Sequence, residues 1–227
     1  MMTEVETIFS TIVRSRRSTR QFLAKPVSDE LIEKVLADAQ SAPSNCNTQP
    51  WLVHIVSGSA RAELSQALLL AEENGQQNPD FSFDVADFQG VYSERHHGMA
   101  STRNVAAGIS REDTEARRRD MLRNLDFYGA PHVAFLFMPT FGDSVRTAGD
   151  IGMYAQTLLL SLTAHGLAGV PQTILGFYAP TIRQKLGIPE ELKLLFGVSF
   201  GYGDPSAPAQ QVDVGRAPLS DSVVFHR

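Results

Sequence analysis

The sequence predicts one domain of helices and strands, interrupted by a single excursion. Three observations predict it. Apolar residues at helical spacing alternate along the chain with short runs rich in β-branched and aromatic residues. A stretch mixing aromatics with charge separates two such blocks. A chain of 227 residues, 43% hydrophobic and 20% charged, can bury a full core without metal or disulfide staples.

Residues Glu4 to Val13 place Val5, Ile8, Phe9 and Ile12 at helical spacing, after which the pattern breaks into the basic, hydroxyl-rich run RSRRSTRQF. Ser28 followed by Asp29 and Glu30 reads as an N-cap with acids in the first turn, and Leu31, Ile32, Val35, Leu36 and Ala39 form the buried stripe of a helix that ends near Ala42-Pro43. The segment SAPSNCNTQP is a loop by composition. WLVHIVS has the length and β-branched content of a strand closed by Gly58, and a helix follows over about 60–73. Residues 74–129 are the excursion: NGQQNPD is a breaker cluster, FSFDVADF and VYSERHH mix aromatics with charge, and REDTEARRRD reads as a solvated helical stretch. HVAFLFM restores core character as a buried strand. The helix expected over about 144–166 carries Ile151, Ala155, Leu158 and Leu162 on one stripe with Gly152, Leu159 and Leu160 opposite, so it is buried on nearly all sides, in the core or between subunits. A short strand over 167–173, a helix over 180–186 and a strand over 192–200 complete the order α, α, β, α, insertion, β, α, β, α, β. From Gly201 onward periodicity fades, yet Val212, Val214, Leu219, Val223, Val224 and Phe225 remain available for burial.

A net charge of −5 provides no global basic field for a polyanion, so nucleic-acid binding is not expected. A single cysteine, Cys46, cannot form an internal bridge and fits a reducing compartment. The amino-terminal residues carry Glu4 and Glu6 where a targeting signal carries basic ones, and the most apolar long stretch, 151–170, is broken by Gln156, Ser161, Thr163, His165 and glycines. The expectation is a cytoplasmic protein with no membrane span.

Chemistry could sit in two places. Arg14, Arg16, Arg17 and Arg20, interleaved with Ser15, Ser18 and Thr19, combine guanidinium forks with hydroxyls, the equipment for gripping a phosphate monoester. The same run also suits a solvated basic surface or a helix C-terminus. The segment from Ala42 to Trp51 concentrates amide and hydroxyl groups suited to a flat heteroaromatic edge, or to Asx-turns. Cys46 has no neighbouring His or Lys to activate it and reads as a spectator. Metal catalysis is not expected: His96 and His97 are adjacent, and no His-Glu-x-x-His spacing occurs. The glycines from Gly197 to Gly203 run into Asp204-Pro205 rather than a helix, so the dinucleotide fingerprint is missing, as are a Gly-x-Ser-x-Gly elbow and a phosphate-loop lysine motif.

Three separated motifs occur in order: Arg16-Arg17-Ser18-Thr19-Arg20-x-Phe22, then Ala42-Pro43-Ser44-Asn45-Cys46-Asn47-Thr48-Gln49-Pro50-Trp51, then Gly215-Arg216-Ala217-Pro218. Together they resemble the nitroreductase family of FMN-dependent NAD(P)H oxidoreductases, over nearly the whole chain. The resemblance implies an α+β fold with a central mixed sheet flanked by helices, in an intertwined homodimer with two FMN sites at the interface. It also implies a single domain over 1–227, with a lid-type insertion at about 74–129 and a carboxyl-terminal arm at about 202–227 that embraces the partner.

Carried over by position, Arg16, Arg17 and Ser18 match residues that bind the FMN phosphate and ribityl chain, and Arg216 matches a second phosphate arginine. Arg20 matches a basic residue near flavin N1 and O2, where it should raise the reduction potential; otherwise it is a third phosphate ligand. Pro43, Ser44, Asn45, Asn47 and Gln49 match the loop that reaches the flavin from the other subunit. Gln172, Leu175 and Gly176 lie where the family passes backbone over the flavin ring with an amide toward N5, and Leu175 replaces an acidic residue found there in some relatives.

The resemblance implies a ping-pong cycle in which NAD(P)H delivers hydride to flavin N5 and a small aromatic acceptor, nitroaromatic or quinone-like, then takes its place, with no dedicated catalytic acid. Phe81, Phe83, Phe88, Tyr92, Phe127 and Tyr128 are candidates for stacking on the acceptor or for packing the insertion. Arg103, Arg117, Arg118 and Arg119 could meet an anionic acceptor such as a nitrobenzoate, while Asp113 to Arg117 and Glu115 to Arg119 have the spacing of helical ion pairs. A basic residue on the lid could equally favour NADPH. The same scaffold also serves reductive dehalogenases, enone reductases, and FMN-binding carriers or sensors with little turnover.

Overall fold

In a computed structural model that describes residues 3–207 and 212–227, helix α1 (Glu4–Ser15) starts from a capping box. The Thr3 hydroxyl accepts from the Glu6 N–H while the Glu6 carboxylate accepts from the Thr3 N–H. Its apolar residues Val5, Ile8, Phe9 and Val13 are all exposed, and no residue of α1 is buried. Helix α2 (Asp29–Gln40) is capped by Ser28, which accepts from the Leu31 N–H, and it buries Ile32, Val35 and Ala39. Strand β1 (Leu52–Ser57) leads into α3 (Gly58–Glu73), which buries Leu64, Leu68 and Ala71.

Residues 74–129 add no strand. They form α4 (Val91–Ala106) and α5 (Thr114–Leu122). Helix α4 is an addition to the sequence reading, which saw only its mixture of aromatics and charge; it buries none of its residues. The chain continues through β2 (His132–Met138), α6 (Val145–Ala164), β3 (Ala168–Gln172), α7 (Ala179–Leu186) and β4 (Lys193–Gly201). Part of the expected arm, 208–211, lies outside the described residues. Beyond it, the segment 212–227 carries one short helical turn, Leu219–Asp221.

The sheet order is β1-β2-β4-β3 and every ladder is antiparallel. A mixed sheet was expected; the parallel component among the described residues is a single bridge between Ser18 and Gly169. The topology gives the reason. Helix α6 carries the chain from β2 back to a β3 running in the same direction, but β4 is inserted between them in the opposite sense, so no two like-directed strands are neighbours.

Strand β2 is buried at every position. Its alternation sends Val133, Phe135 and Phe137 to a cluster with Leu64, Leu68 and Ile182 of α3 and α7, and Ala134, Leu136 and Met138 to a cluster with Val35, Ile151 and Leu158 of α2 and α6. The result is three layers, with helices on both faces. No helix of the described residues is long and apolar enough to cross a membrane.

One close approach sets the position of the basic run. A Cβ on Gly169 would lie 3.0 Å from Leu162 Cδ1 and 3.1 Å from Leu159 Cδ2, so glycine lets β3 lie tightly on α6. The Gly169 carbonyl then accepts from the Thr19 N–H at 3.2 Å.

Candidate active site

Helix α1 ends at Ser15, with the Arg16 N–H donating to the Ile12 carbonyl at 3.2 Å. The chain then runs extended along the sheet edge, tied by the Ser18–Gly169 and Phe22–Gly203 bridges. Thr19 and Phe22 are buried as anchors, which leaves Arg16, Arg17, Ser18 and Arg20 along a cleft of about 620 Å³. The carboxyl-terminal segment returns to the same cleft with Asp213, Gly215 and Arg216, and Met99 and Arg103 of α4 form a further wall. Asp213 sits 3.6 Å from Arg17 and accepts from the Gly215 N–H at 2.8 Å, which shapes the turn presenting Arg216. Arg95 of α4 pairs with Asp221 at 3.2 Å, holding the tail against the insertion.

The electrostatics of this cleft are unbalanced. Burial first, then the nearby Arg216 and Arg17, hold the Arg16 guanidinium below its ordinary pKa. Among the described residues Arg16, Arg20 and Arg216 have no carboxylate partner; Arg20 donates to the Ser18 carbonyl at 3.3 Å and Arg216 to its neighbour Gly215 at 2.6 Å. Guanidiniums brought together from the two ends of the chain, with one carboxylate on the cleft lining, form a receptor for a phosphate dianion. The donor set therefore fits the phosphate end of FMN.

The second predicted group lies elsewhere. None of Pro43, Ser44, Asn45, Asn47 and Gln49 lines this cleft. Their loop rests on α6, where the Asn45 N–H donates to Asp150 Oδ1 at 3.0 Å, and it closes on itself through Gln49, which donates to Ser44 Oγ at 2.9 Å and to Asn47 Oδ1 at 3.1 Å. Cys46, Asn47 and Gln49 have φ of 51°, 57° and 47°, left-handed positions without glycine on either side of a right-handed Thr48, and their side chains are exposed. Trp51 is a core residue: its indole donates to Gln40 Oε1 at 3.0 Å and its ring lies 5.0 Å from that of Tyr154, whose hydroxyl burial pushes up to about 12.

The Gln172 and Leu175 side chains are engaged within the fold. Gln172 is 3% exposed; its carbonyl oxygen accepts from Ser199 Oγ, and its amide donates to the Asn124 carbonyl at 3.0 Å and to Asn124 Oδ1 at 3.3 Å. A polar amide in an apolar strand is here a cross-strand tie to β4. Leu175 is fully buried against Gly197, where a Cβ would lie 2.6 Å from its Cδ1. Gly176 does line a cavity, one of about 300 Å³ shared with Phe81, Phe83 and Phe177. Of the stacking candidates, Phe127 and Tyr128 belong to the core, whereas Phe83 and Phe88 pack edge-on at 6.0 Å and Tyr92 is exposed. Sequence reasoning did not select Met99 or Asp213, which carry no motif, or Asn124, whose place appears only when β3 and the insertion are packed together.

The chain has close counterparts among known proteins. The model of the nitroreductase family matches residues 13–202. The nitroreductase NfnB of Mycolicibacterium smegmatis is 45% identical over 216 residues, covering 95% of this chain and 92% of that one. A 4-nitrobenzoate reductase of Pseudomonas putida is 31% identical over 92% of this chain and 91% of its own. The crystal structure of the FMN-dependent NfnB from Mycobacterium smegmatis in complex with NADPH superposes with a TM-score of 0.95 at 43% identity, covering 99% of this chain and 100% of that one. With the family's pattern running from the end of α1 through β4, the chain belongs to the nitroreductase family.

Proposed function

We propose that this chain is an NAD(P)H-dependent FMN nitroreductase acting on small nitroaromatic, or quinone-like, acceptors. The observation that carries the reading is the cleft in which Arg16, Arg20 and Arg216 converge without a carboxylate partner, in a chain that matches FMN-dependent nitroreductases along nearly its whole length. The relatives named for nitrobenzoate and other nitroarenes favour this reading over a dehalogenase, an enone reductase or a carrier.

When bound, FMN would supply the redox chemistry between NAD(P)H and the acceptor. Arg16, Arg17, Ser18 and Arg216 would hold its phosphate and ribityl chain. Arg20, half-buried at the inner end of the run, would place positive charge where reduction builds negative charge and so raise the potential. Gly176 brings backbone to a cavity suited to an aromatic group. Residues 74–129 cover the cleft through α4, within a single domain whose carboxyl-terminal segment forms an arm.

The protein acts as a homodimer in the cytoplasm. Its α1 face exposes Ile8 at 53% and Phe9 at 62%, an apolar surface on the helix whose last turn, through Val13 and Arg14, lines the cleft. A second copy covering that face brings the 43–49 loop, with Pro43, Ser44, Asn45, Asn47 and Gln49, toward the partner's flavin.

The test is an absorbance spectrum of the purified protein, followed anaerobically by NADPH or NADH and then by 4-nitrobenzoate. Flavin bands that bleach and then recover are expected. Bleaching without recovery overturns the nitroaromatic assignment, and a protein that cannot be reconstituted with FMN overturns the reading as a whole.

A further inference from the structure

Behind the Arg103 wall of the flavin cleft lies a second cavity of about 420 Å³, lined by Arg103, Asn104, Thr114, Arg117, Arg118 and Asn124 among others. The two cavities share Arg103. The second is also tied to the flavin side from below. Asn124 holds Gln172, and the adjacent Arg123 donates to the Arg20 carbonyl at 2.6 Å. It is therefore a compartment alongside the proposed redox site rather than a remote surface dent.

Its charges are only partly matched. Arg103 pairs with Asp120 at 2.9 Å, and Arg123 shares that carboxylate at 3.6 Å. Arg118 reaches Glu72 at 3.4 Å, where Tyr178 and Gln77 also donate. Arg119 pairs with Glu115 at 3.2 Å. Arg117 differs. Asp113, four residues earlier, has the spacing to pair with it but turns its carboxylate to the Ala116 N–H at 2.7 Å, capping α5. Arg117 is left donating to the Arg111 carbonyl at 3.3 Å, and among the described residues it has no carboxylate partner. An exposed, unpaired guanidinium beside two more arginines and two amide side chains is equipped to take an oxyanion bearing two charges.

We propose that this cavity is a subsite for the phosphorylated adenosine end of the reductant, and that Arg117 favours NADPH over NADH by meeting the 2′-phosphate. The proposal rests on the hydride-transfer reading above. A nitroarene is a single ring that must keep its reacting group over the flavin, whereas a dinucleotide has a second end to place, and a separate basic cavity across one side chain provides for it. A carboxylate on the acceptor is the rival source of the same chemistry.

The test has a binding arm and a kinetic arm. Calorimetry with 2′,5′-ADP and with 5′-AMP should show the doubly phosphorylated nucleotide binding about tenfold tighter to the wild-type holoprotein, as one charge-assisted contact implies. Arg117→Ala should remove that difference, and Arg117→Lys should restore part of it. In turnover, the ratio of kcat/KM for NADPH to that for NADH should fall about tenfold in Arg117→Ala, through KM, and the effect should shrink with added salt. An unchanged preference for 2′,5′-ADP, or an equal loss for both reductants, overturns the proposal. So does a loss seen with 4-nitrobenzoate but not with neutral nitrobenzene, which would assign the cavity to the acceptor. Failure of the flavin reading shows separately, as absent flavin absorbance, and leaves the nucleotide comparison readable.

Discussion

Replacing Arg216 with alanine should weaken FMN retention about tenfold while leaving the fold intact. Arg216 is exposed, and its recorded side-chain bond is to the carbonyl of its own neighbour, so no other element leans on it. A hydrogen bond to a charged group contributes about 1.5–3 kcal/mol, which is about ten- to hundredfold in Kd. Exposure of Arg216 to water sets the net value near the lower end. In the free protein Arg216 also helps disfavour the charged form of Arg16, after burial, a repulsion that bound phosphate would neutralise, so deleting Arg216 forfeits that relief on binding and adds to the loss. Arg216→Lys keeps the charge but loses the planar fork and should fall between the two. The assay is a titration of apoprotein with FMN, read by flavin fluorescence, at low and raised ionic strength, and the gap to wild type should narrow with salt. Thermal unfolding of the apoprotein should be unchanged or slightly improved. The reasoning is refuted by an unaltered Kd in both variants, or by a weaker Kd that comes with a lower unfolding temperature.

Phe9→Glu, on the exposed face of α1, should leave the folded chain intact but split the dimer and release flavin with it; light scattering that still reports a dimer removes α1 from the interface. His132 accepts from the Val27 N–H at Nε2, 3.0 Å away, and faces Ser57 Oγ through Nδ1, while burial, opposed in part by Asp29, lowers its pKa. The unfolded chain takes up the proton near the ordinary value of 6.5 and the folded chain resists it, so this contribution to stability is complete above that pH and is lost as pH falls below it. His132→Phe should flatten that slope in urea titrations between about pH 7.5 and 5.5 and, by orphaning the Val27 N–H, cost about 1–3 kcal/mol at the upper end; an unchanged slope would exclude His132 as its source. Gly197→Ala puts a Cβ 2.6 Å from Leu175 Cδ1 and 3.4 Å from Phe135 Cδ1, and the overpacking should cost about 1–3 kcal/mol in denaturant titrations. A neutral result there would mean that Leu175 can move aside.

Much of the fold was legible where local and tertiary demands agree. HVAFLFM reads as a buried strand and is one over 132–138, because both of its faces meet helices. The Ser28 cap and the stripe through Ile32, Val35 and Ala39 mark α2 for the same reason. Helix α4 was not legible: with no buried residue it has no apolar period to display, and its place depends on contacts such as those of Met99 and Arg103 with distant segments. Strand direction was not legible either, since nothing local in β4 states that it will separate β2 from β3.

At the site, the convergence of Arg16, Arg17, Ser18, Arg20 and Arg216 followed from motifs at the two ends of the chain. That the Gln172 side chain ties β3 to Ser199 was not legible, because a buried amide looks the same in sequence whether it faces a ligand or a serine across a ladder. Asp113 and Arg117 show the converse case. Their spacing suggests a pair, and the competing demand of a helix N-terminus breaks it.

The position of β4 bears on how the protein is made. The strand that fills an interior place in the sheet is the last of the four named strands in chain order. Until Lys193–Gly201 leaves the ribosome, β3 has no ladder partner among the named strands, and β2, seven residues buried throughout in the finished protein, keeps one edge unpaired. A nascent chain paused before that point presents an open hydrophobic strand to its neighbours, the kind of edge that recruits other chains. Assembly of the core thus waits for β4, and the interval before it is when a chaperone has the most to shield.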